Sequence, residues 1–270
     1  LPLRDLSLWQ RVHEKSGVTL MISLVFLDDR DRFVFEPGAS SVEDRLFLLR
    51  RFKEEGMDVA VAAMPFLPFI NDGGDYMEHL FSKLSTLQVS HVIPGVLTLR
   101  PGRQKEHFLE VLKNSYPNLL ARYESLYGEN RPSGLPRREY YDSFARRCSA
   151  ALARYKLPML MPHGIYKNRF ALYDEVFILL SHMKVLYRAK GVDVTALESS
   201  LIAYKAWLQS RKKRFNRNRG ESFETLEASL RFLCQSGELE SLLKNEKLTE
   251  FLEAVIMERK TLDYNSLKLF

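Results

Sequence analysis

The sequence predicts an α/β fold, with a parallel β-sheet in the first half of the chain and an all-α C-terminal region. Apolar runs rich in β-branched residues begin near Val18, Asp58 and Ser90, and helical patterns separate them. These starts lie roughly 30 to 40 residues apart, a spacing typical of βαβ units with parallel neighbouring strands. From about Glu139 onward the strand signals vanish.

A change of hydrophobic period marks the first helix and the first strand. In DLSLWQRVHEKSG, Leu6, Trp9 and His13 lie at helical spacing, and Gly17 ends the pattern. The run VTLMISLVFL, residues 18–27, is continuous and apolar. Such a run predicts a strand that is buried on both faces.

The turn EPGASS leads into the second helix. Ser40 or Ser41 can cap this helix, and Glu43 and Asp44 favour the positive end of its dipole. The helix places Leu46, Leu49 and Phe52 on one face and ends at Gly56.

The second strand, DVAVAAMPF, and the third, SHVIPGVLTL, flank the helix YMEHLFSKLSTLQ. The loop after the second strand is stiff because Pro65 and Pro68 fix φ and remove amide donors, and Asn71 and Asp72 suit the turn that follows. Three strands make only part of a parallel sheet and leave edge groups unpaired. We therefore expect earlier βα units of the native protein to precede Leu1.

Helical stripes fill the C-terminal region. They comprise Phe170, Tyr173, Phe177, Leu180 and Tyr187, then Leu197, Leu201, Tyr204 and Leu208, then Leu226, Leu230 and Leu233, and shorter ones from Leu239 to Val255. We place the boundary in KLPMLMPHGIYKN, residues 156–168. The predicted regions are a parallel α/β region at 1–155 and a helical extension at 156–270.

Composition limits the class of protein and of site. The net charge of +6 and the pI near 9.2 permit a polyanionic partner. No apolar run reaches about 18 residues, so we expect no membrane span, and the two isolated cysteines lead us to expect a cytoplasmic protein. Cys148 and Cys234 predict packed, reduced thiols that hold no iron–sulfur cluster by themselves, and the six histidines lack metal-ligand spacing, so no metal site is predicted on this chain.

Four motifs in one order give a family resemblance. An LRD leads a helix into a strand that bears serine, an EP turn precedes an R-L helix, and the next strand ends in P-x-x-P-x-x-N-D. In this chain the residues are Leu3, Arg4 and Asp5, then Ser23, then Glu36 and Pro37, then Arg45 and Leu46, then Pro65, Pro68, Asn71 and Asp72. Over roughly residues 1–144 the chain resembles the later part of radical S-adenosylmethionine enzymes, in particular the spore photoproduct lyase-like group, often labelled DNA repair photolyases.

The resemblance implies a fold, cofactors and a site. The family fold is a partial (β/α)6 barrel of TIM type, of which this chain looks like the second half. Its members cleave S-adenosylmethionine at a [4Fe–4S] cluster held by a C-x-x-x-C-x-x-C loop, which starts radical, lyase-like chemistry. By resemblance, the cofactor-binding residues are Ser23, Glu36, Arg45, Pro65 and Asn71, and the catalytic residues stay unknown.

Two departures from the family leave the activity open. The cluster cysteines have no counterpart here, so either they lie upstream of Leu1 in a longer polypeptide or the chain is a degenerate, inactive relative. Spore photoproduct lyase also carries a hydrogen-donating cysteine on the strand with the serine, whereas this chain reads TLMIS, followed by Leu24, Val25 and Phe26. The substrate is therefore open.

The same residues also suit purely structural roles, without a cofactor. Glu36 and Arg45 suit an acid–base pair that anchors a turn, and Ser23 suits a core hydroxyl bonded to backbone. Asn71 and Asp72 suit a turn without a ligand.

A basic stretch near the end of a helix suggests a second class of function. SRKKRFNRNRG holds Arg211, Lys212, Lys213, Arg214, Phe215, Arg217 and Arg219, which can neutralise phosphates while the aromatic ring stacks on a base. The alternative is a solvated helix C-terminus, where cations oppose the dipole. The second hypothesis is accordingly a non-catalytic basic module that binds nucleic acid or a protein partner.

Overall fold

The computed structural model describes residues 2–217 and 223–270. The fold is mixed α/β, as predicted, and forms two compact units, Leu1–Leu160 and Met161–Phe270. The division falls inside the segment 156–168 in which the sequence places the boundary. Among the described residues, no helix combines the length and the apolar character needed to cross a membrane.

The first unit contains a parallel sheet of three strands. They are β1 (Thr19–Ser23), β2 (Asp58–Phe66) and β3 (Val92–Val96), in the order β1-β2-β3. Ser23 pairs with Ala62, which pairs in turn with Ile93, and a register shift follows between Ala63 and Phe66. The parallel neighbours that the strand–helix alternation predicts are confirmed.

Helices connect and cover these strands. They are α1 (Leu6–Ser16), α2 (Asp29–Phe35), α3 (Val42–Glu54), α4 (Gly74–Thr86), α5 (Arg103–Ser115), α6 (Leu120–Tyr127) and α7 (Arg138–Arg154), with a 3₁₀ turn at Pro117–Leu119 before α6. Ser41 caps α3 by accepting a hydrogen bond from the Asp44 amide at 3.0 Å, and Leu46, Leu49 and Phe52 are buried. The sequence analysis did not predict α2, which Asp28 caps.

The two faces of β1 lie in different surroundings. Leu20 and Ile22 pack against the main hydrophobic core, whereas Ser23 is exposed and the Met21 side chain is 42% exposed. The prediction of a first strand buried on both faces is therefore wrong. Strand β1 is also shorter than predicted, because Leu24, Val25 and Phe26 follow its end as buried residues of a loop.

The second unit is helical except at its end. It consists of α8 (His163–Tyr166), α9 (Leu172–Ala189), α10 (Thr195–Arg217), α11 (Phe223–Gln235), α12 (Glu238–Leu243) and α13 (Glu246–Ile256). An antiparallel pair, β4 (Leu262–Asp263) and β5 (Lys268–Leu269), follows, so the expectation of an all-α region is wrong in this detail. The Asp263 carboxylate stabilises the turn of this pair by accepting hydrogen bonds from the amides of Asn265 and Ser266. Strands of two residues are too short to leave a periodic pattern in the sequence, so the sequence did not predict them.

A buried carboxylate lies in the core of the second unit. Glu175 Oε1 is 3.1 Å from His163 Nε2, and Glu175 Oε2 accepts hydrogen bonds from the Asn168 amide at 3.1 Å and from Arg259 Nη2 at 2.9 Å. His163 Nδ1 accepts a hydrogen bond from the Leu262 amide at 2.9 Å. One acidic side chain thus connects three segments of this unit.

Candidate functional site

The carboxyl ends of the three parallel strands lie at one edge of the sheet. Ser23, Phe66 and Val96 end the strands, and the loops 24–28, 67–73 and 97–102 follow them. In parallel α/β folds ligands bind at this edge, because loops from several strands meet there. We therefore take this carboxyl edge as the candidate functional site.

A tyrosine holds the loop after β1. The Tyr76 hydroxyl accepts a hydrogen bond from the Leu27 amide at 2.7 Å and donates one to the Val25 carbonyl at 3.2 Å. Burial raises the pKa of Tyr76 well above its ordinary value, so the hydroxyl keeps its proton and remains a donor.

Two tyrosines of α6 hold the other two loops. The Tyr123 hydroxyl donates to the Pro68 carbonyl at 2.7 Å, and the Tyr127 hydroxyl donates to the Leu97 carbonyl at 2.8 Å. Burial raises the pKa of both phenols far above 10. The loops at all three strand ends are thus held by hydrogen bonds to phenol groups.

Replacement of Tyr123 by phenylalanine tests this arrangement. The variant leaves the buried Pro68 carbonyl without its donor, so we expect the free energy of unfolding to fall by about 1–3 kcal/mol. Urea denaturation measures this loss, and amide hydrogen exchange in residues 67–73 should accelerate. Tyr141→Phe is the matched control, because Tyr141 is an exposed side chain of α7. Equal stability of both variants would contradict the role assigned to Tyr123.

Asp72 organises the loop after β2. Its Oδ1 accepts a hydrogen bond from the Phe69 amide at 2.7 Å, and its Oδ2 accepts from the Tyr140 hydroxyl and, at 3.2 Å, from Arg147 Nη2. Arg147 Nη1 also donates to the Asp72 carbonyl at 2.6 Å. Nearby, Asn71 is fully buried, and its Oδ1 accepts a hydrogen bond from the Leu67 amide at 2.6 Å.

Phe69 adopts a left-handed backbone conformation, with φ of 67°. For a bulky residue this conformation costs on the order of 1–3 kcal/mol, and the surrounding structure has to stabilise it. The hydrogen bond to Asp72 does so. As a result the Phe69 ring lies 5.5 Å from the Tyr140 ring and 3.7 Å from the Arg122 guanidinium carbon.

Three of the predicted site residues come together at Arg45. This buried side chain donates from Nη1 to the Ser23 carbonyl at 2.9 Å, from Nε to the Ser40 carbonyl at 3.1 Å, and pairs through Nη2 with Glu36 Oε2 at 2.5 Å. The geometry is that of a turn anchored by an acid–base pair.

The other predicted residues differ in their surroundings. Ser23 is exposed, and within the described residues its hydroxyl makes no hydrogen bond, so it is not a core hydroxyl. Pro65 lies half-buried in β2, after a cis peptide bond from Met64. Asn71 Nδ2 is buried and has no hydrogen-bond partner in the described part of the chain.

The outer edges of β1 and β3 differ. The Val92 amide at the start of β3 donates to the Pro158 carbonyl at 2.9 Å, so the segment around Pro158 lies against the start of this edge. Within the described residues, β1 pairs with β2 and with no further strand. A cleft of about 610 Å³ runs along β1, lined among others by Leu3, Met21, Ser23, Arg45 and Phe47. The exposed apolar side chains of this region are Leu3, Leu8, Trp9, Val12, Met21 and Phe47.

The basic stretch of the second unit is only partly described. Lys212 Nζ pairs with Asp174 at 2.6 Å and lies 5.1 Å from the Tyr173 ring centre, whereas Lys213 and Arg214 are exposed. Arg211 is half-buried. The side chains of Phe215 and Arg217, and the whole of Arg219, lie outside the described residues.

The two cysteines are buried in different units. Burial raises the pKa of Cys148 to about 12 and the pKa of Cys234 to about 11. Since metal ligation requires a thiolate, neither is prepared for it. Among the described residues, no three His, Cys, Asp or Glu side chains form a group that could hold a metal ion.

Comparison with known proteins yields three relatives from mycobacteria. Uncharacterized proteins of Mycobacterium bovis and of two strains of Mycobacterium tuberculosis are each 28% identical to this chain over 154 residues. The match covers 57% of this chain and 44% of each relative, so the chain spans less than half of their length. No protein-family model and no solved structure matches.

Proposed function

We propose that the first unit is the second half of a partial (β/α)6 barrel in a radical S-adenosylmethionine protein, and that its carboxyl edge lines the cofactor cleft. The single observation that carries this proposal is the free edge of β1. Parallel sheets are ordinarily covered on both faces, and free edges are ordinarily protected. Here the first residue of β3 is bonded to Pro158, while the β1 edge borders a cleft and exposed apolar side chains. A preceding βα unit of the same barrel would cover such a surface.

The cluster does not fit the residues of this chain. Two buried cysteines in separate units cannot supply three thiolates, so the proposal assigns the cluster ligands to the preceding part of a longer polypeptide. The residues of this chain accordingly take no part in holding the cluster.

The residue that best fits S-adenosylmethionine lies at the end of β1. The Ser23 hydroxyl is exposed and unpaired among the described residues, and its neighbour in register, Ala62, is small enough to leave space for a ligand. The Asn71 amide nitrogen also lacks a partner among those residues, but the side chain is fully buried and does not line the cleft beside Ser23. When bound, the cofactor would supply the radical chemistry of the superfamily. Arg45 and Glu36 would hold the Ser23 end of the strand, and the loops fixed by the tyrosines would exclude water.

We propose nucleic acid as the substrate class, because the net charge is +6 and the cations Lys213 and Arg214 are exposed and could contact phosphates. The same observations favour a second candidate function, a non-catalytic basic module that binds nucleic acid or a protein. The two candidates differ in whether a cofactor is cleaved.

Anaerobic iron–sulfide reconstitution separates these functions. We expect a longer polypeptide that includes the segment upstream of Leu1 to form a cluster and to release 5′-deoxyadenosine, and the 270-residue chain to do neither. Amide hydrogen exchange gives an independent readout, because a preceding strand would protect the outer amides of β1 in the longer polypeptide. Equal exchange in both forms would contradict the half-barrel proposal. A protected edge without deoxyadenosine would favour the non-catalytic module.

A further inference from the structure

A second cavity at the carboxyl edge combines aromatic and cationic side chains. Its volume is about 540 Å³, and its lining includes Phe69, Arg122, Ser125, Arg137, Glu139 and Tyr140. This volume lies within the range of roughly 300–1,000 Å³ that is typical of small-molecule sites. All of these residues belong to the first unit, in the loop after β2 and in the segments around α6 and α7.

Arg122 is the cation best placed to bind a ligand. Its guanidinium carbon lies 3.7 Å from the centre of the Phe69 ring, so one flat face of the group stacks on the ring. Stacking uses the face and leaves the N–H donors, which lie in the guanidinium plane, free for an anion. Within the described residues no carboxylate lies at ion-pair distance from Arg122, which is exposed.

Arg137 adds a second cation with a weak partner. Its Nε lies 3.8 Å from Glu129 Oε1, and the other oxygen of that carboxylate pairs with Arg131 at 2.6 Å. Because the Arg137 pair is long and solvent-exposed, it contributes little, and an anion in the cavity can replace it. Glu139 supplies a carboxylate acceptor to the same lining.

The aromatic part of the cavity is fixed before any ligand binds. Phe69 is held in its left-handed conformation by Asp72, and Tyr140 bonds through its hydroxyl to the same carboxylate. The two rings lie 5.5 Å apart. A ligand ring that contacts them does not have to order these side chains, so little binding free energy is lost.

We propose that this cavity binds a small phosphorylated ligand with a planar ring system, of the size of a nucleoside monophosphate. Arg122 and Arg137 bind the phosphate, and Phe69 and Tyr140 contact the ring. The size of the cavity favours a free small molecule over a polynucleotide strand. The inference goes beyond the half-barrel proposal and is independent of it, because it requires neither the cluster nor an upstream segment.

Calorimetric titration of the purified protein with adenosine 5′-monophosphate tests this inference. We expect saturable binding, and weaker binding of inorganic phosphate alone and of adenosine alone, since each probe has only half of the contacts. Arg122→Gln removes a charge-assisted contact and should weaken binding by about 10- to 100-fold. Arg137→Gln should weaken it as well.

The matched control is Arg138→Gln. Arg138 is exposed at the start of α7, next to Arg137 in the chain, with its Nε 3.7 Å from Asp142 Oδ2, and it does not line the cavity, so binding should stay unchanged. Circular dichroism establishes that each variant is folded, as expected for exposed side chains. Absence of saturable binding, equal affinity of Arg122→Gln and wild type, or phosphate binding as tight as the nucleotide would overturn the proposal. So would tighter, Arg122-dependent binding of a single-stranded oligonucleotide.

Discussion

Replacement of Arg45 by methionine should lower the free energy of unfolding of the first unit by about 3 kcal/mol, because it breaks a buried ion pair. The side chain of Arg45 is 10% exposed, and that of its partner Glu36 is 25% exposed. Methionine retains the apolar length of the side chain but leaves the Glu36 carboxylate and the carbonyls of Ser23 and Ser40 without their donor. The expected loss of stability therefore comes mainly from the unpaired polar groups and not from a loss of packing.

Urea denaturation measures the change, and hydrogen exchange locates it. We expect faster exchange in β1 and in the turn at residues 36–45. Arg50→Met is the matched control, because Arg50 lies on the same helix and pairs with Glu43 at the surface. Such an exposed pair is worth at most about 1 kcal/mol. If Arg45→Met were as stable as Arg50→Met, the buried pair would not anchor the end of β1.

The strands were predictable where hydrophobic pattern alone determines them. DVAVAAMPF is the second strand over the predicted residues, because it is a continuous apolar run with a glycine before it and a proline-rich loop after it. The first strand ends earlier than its apolar run does, since burial in a loop and burial in a sheet select the same residue types. The apolar run therefore predicts which residues are buried, but it does not predict at which residue the hydrogen bonds of the strand end.

Helix α2 shows a second limit. It spans Asp29–Phe35, too few residues for a clear periodicity, and its buried residues are the charged Asp31 and Arg32. Arg32 is buried because it donates to the carbonyls of Glu36 and Ala39, which close the following turn. A helix held by polar contacts that form only in the folded turn leaves no apolar stripe in the sequence.

The sequence names residues that the structure brings together, but it does not show the contacts between them. The motifs place Ser23, Glu36 and Arg45 in order along the chain, but a bond from Arg45 to the Ser23 carbonyl spans 22 residues. The tyrosines of the carboxyl edge were missed for the same reason. Tyr123 and Tyr127 lie one helical turn apart, which was a usable signal for a shared face, yet their acceptors at Pro68 and Leu97 are distant in sequence.

Replacement of Glu175 by glutamine should destabilise the second unit by about 3–5 kcal/mol at pH 7, because it removes the charge of a fully buried carboxylate that Arg259 and His163 contact. Burial alone would raise the pKa of Glu175, but the hydrogen bonds from His163, Arg259 and Asn168 outweigh it, and the pKa lies below its ordinary 4.5. Tyr166 lies close enough to interact with the same charge.

A lowered carboxylate pKa gives a defined dependence on pH. The stability that the ionised Glu175 contributes is fully present above the unfolded-state pKa of 4.5, and it is lost as the pH falls from there through the folded-state value. Fluorescence of Trp207, in α10, reports unfolding of this unit when Trp9 is replaced by phenylalanine. In that background the urea midpoint should fall as the pH is lowered below 4.5. The Glu175→Gln variant should have a lower urea midpoint at pH 7, and its midpoint should fall less on acidification. Glu198→Gln, which alters an exposed pair with Arg188, should behave like the parent protein. An acid dependence in Glu175→Gln equal to that of the parent would assign the effect to other groups.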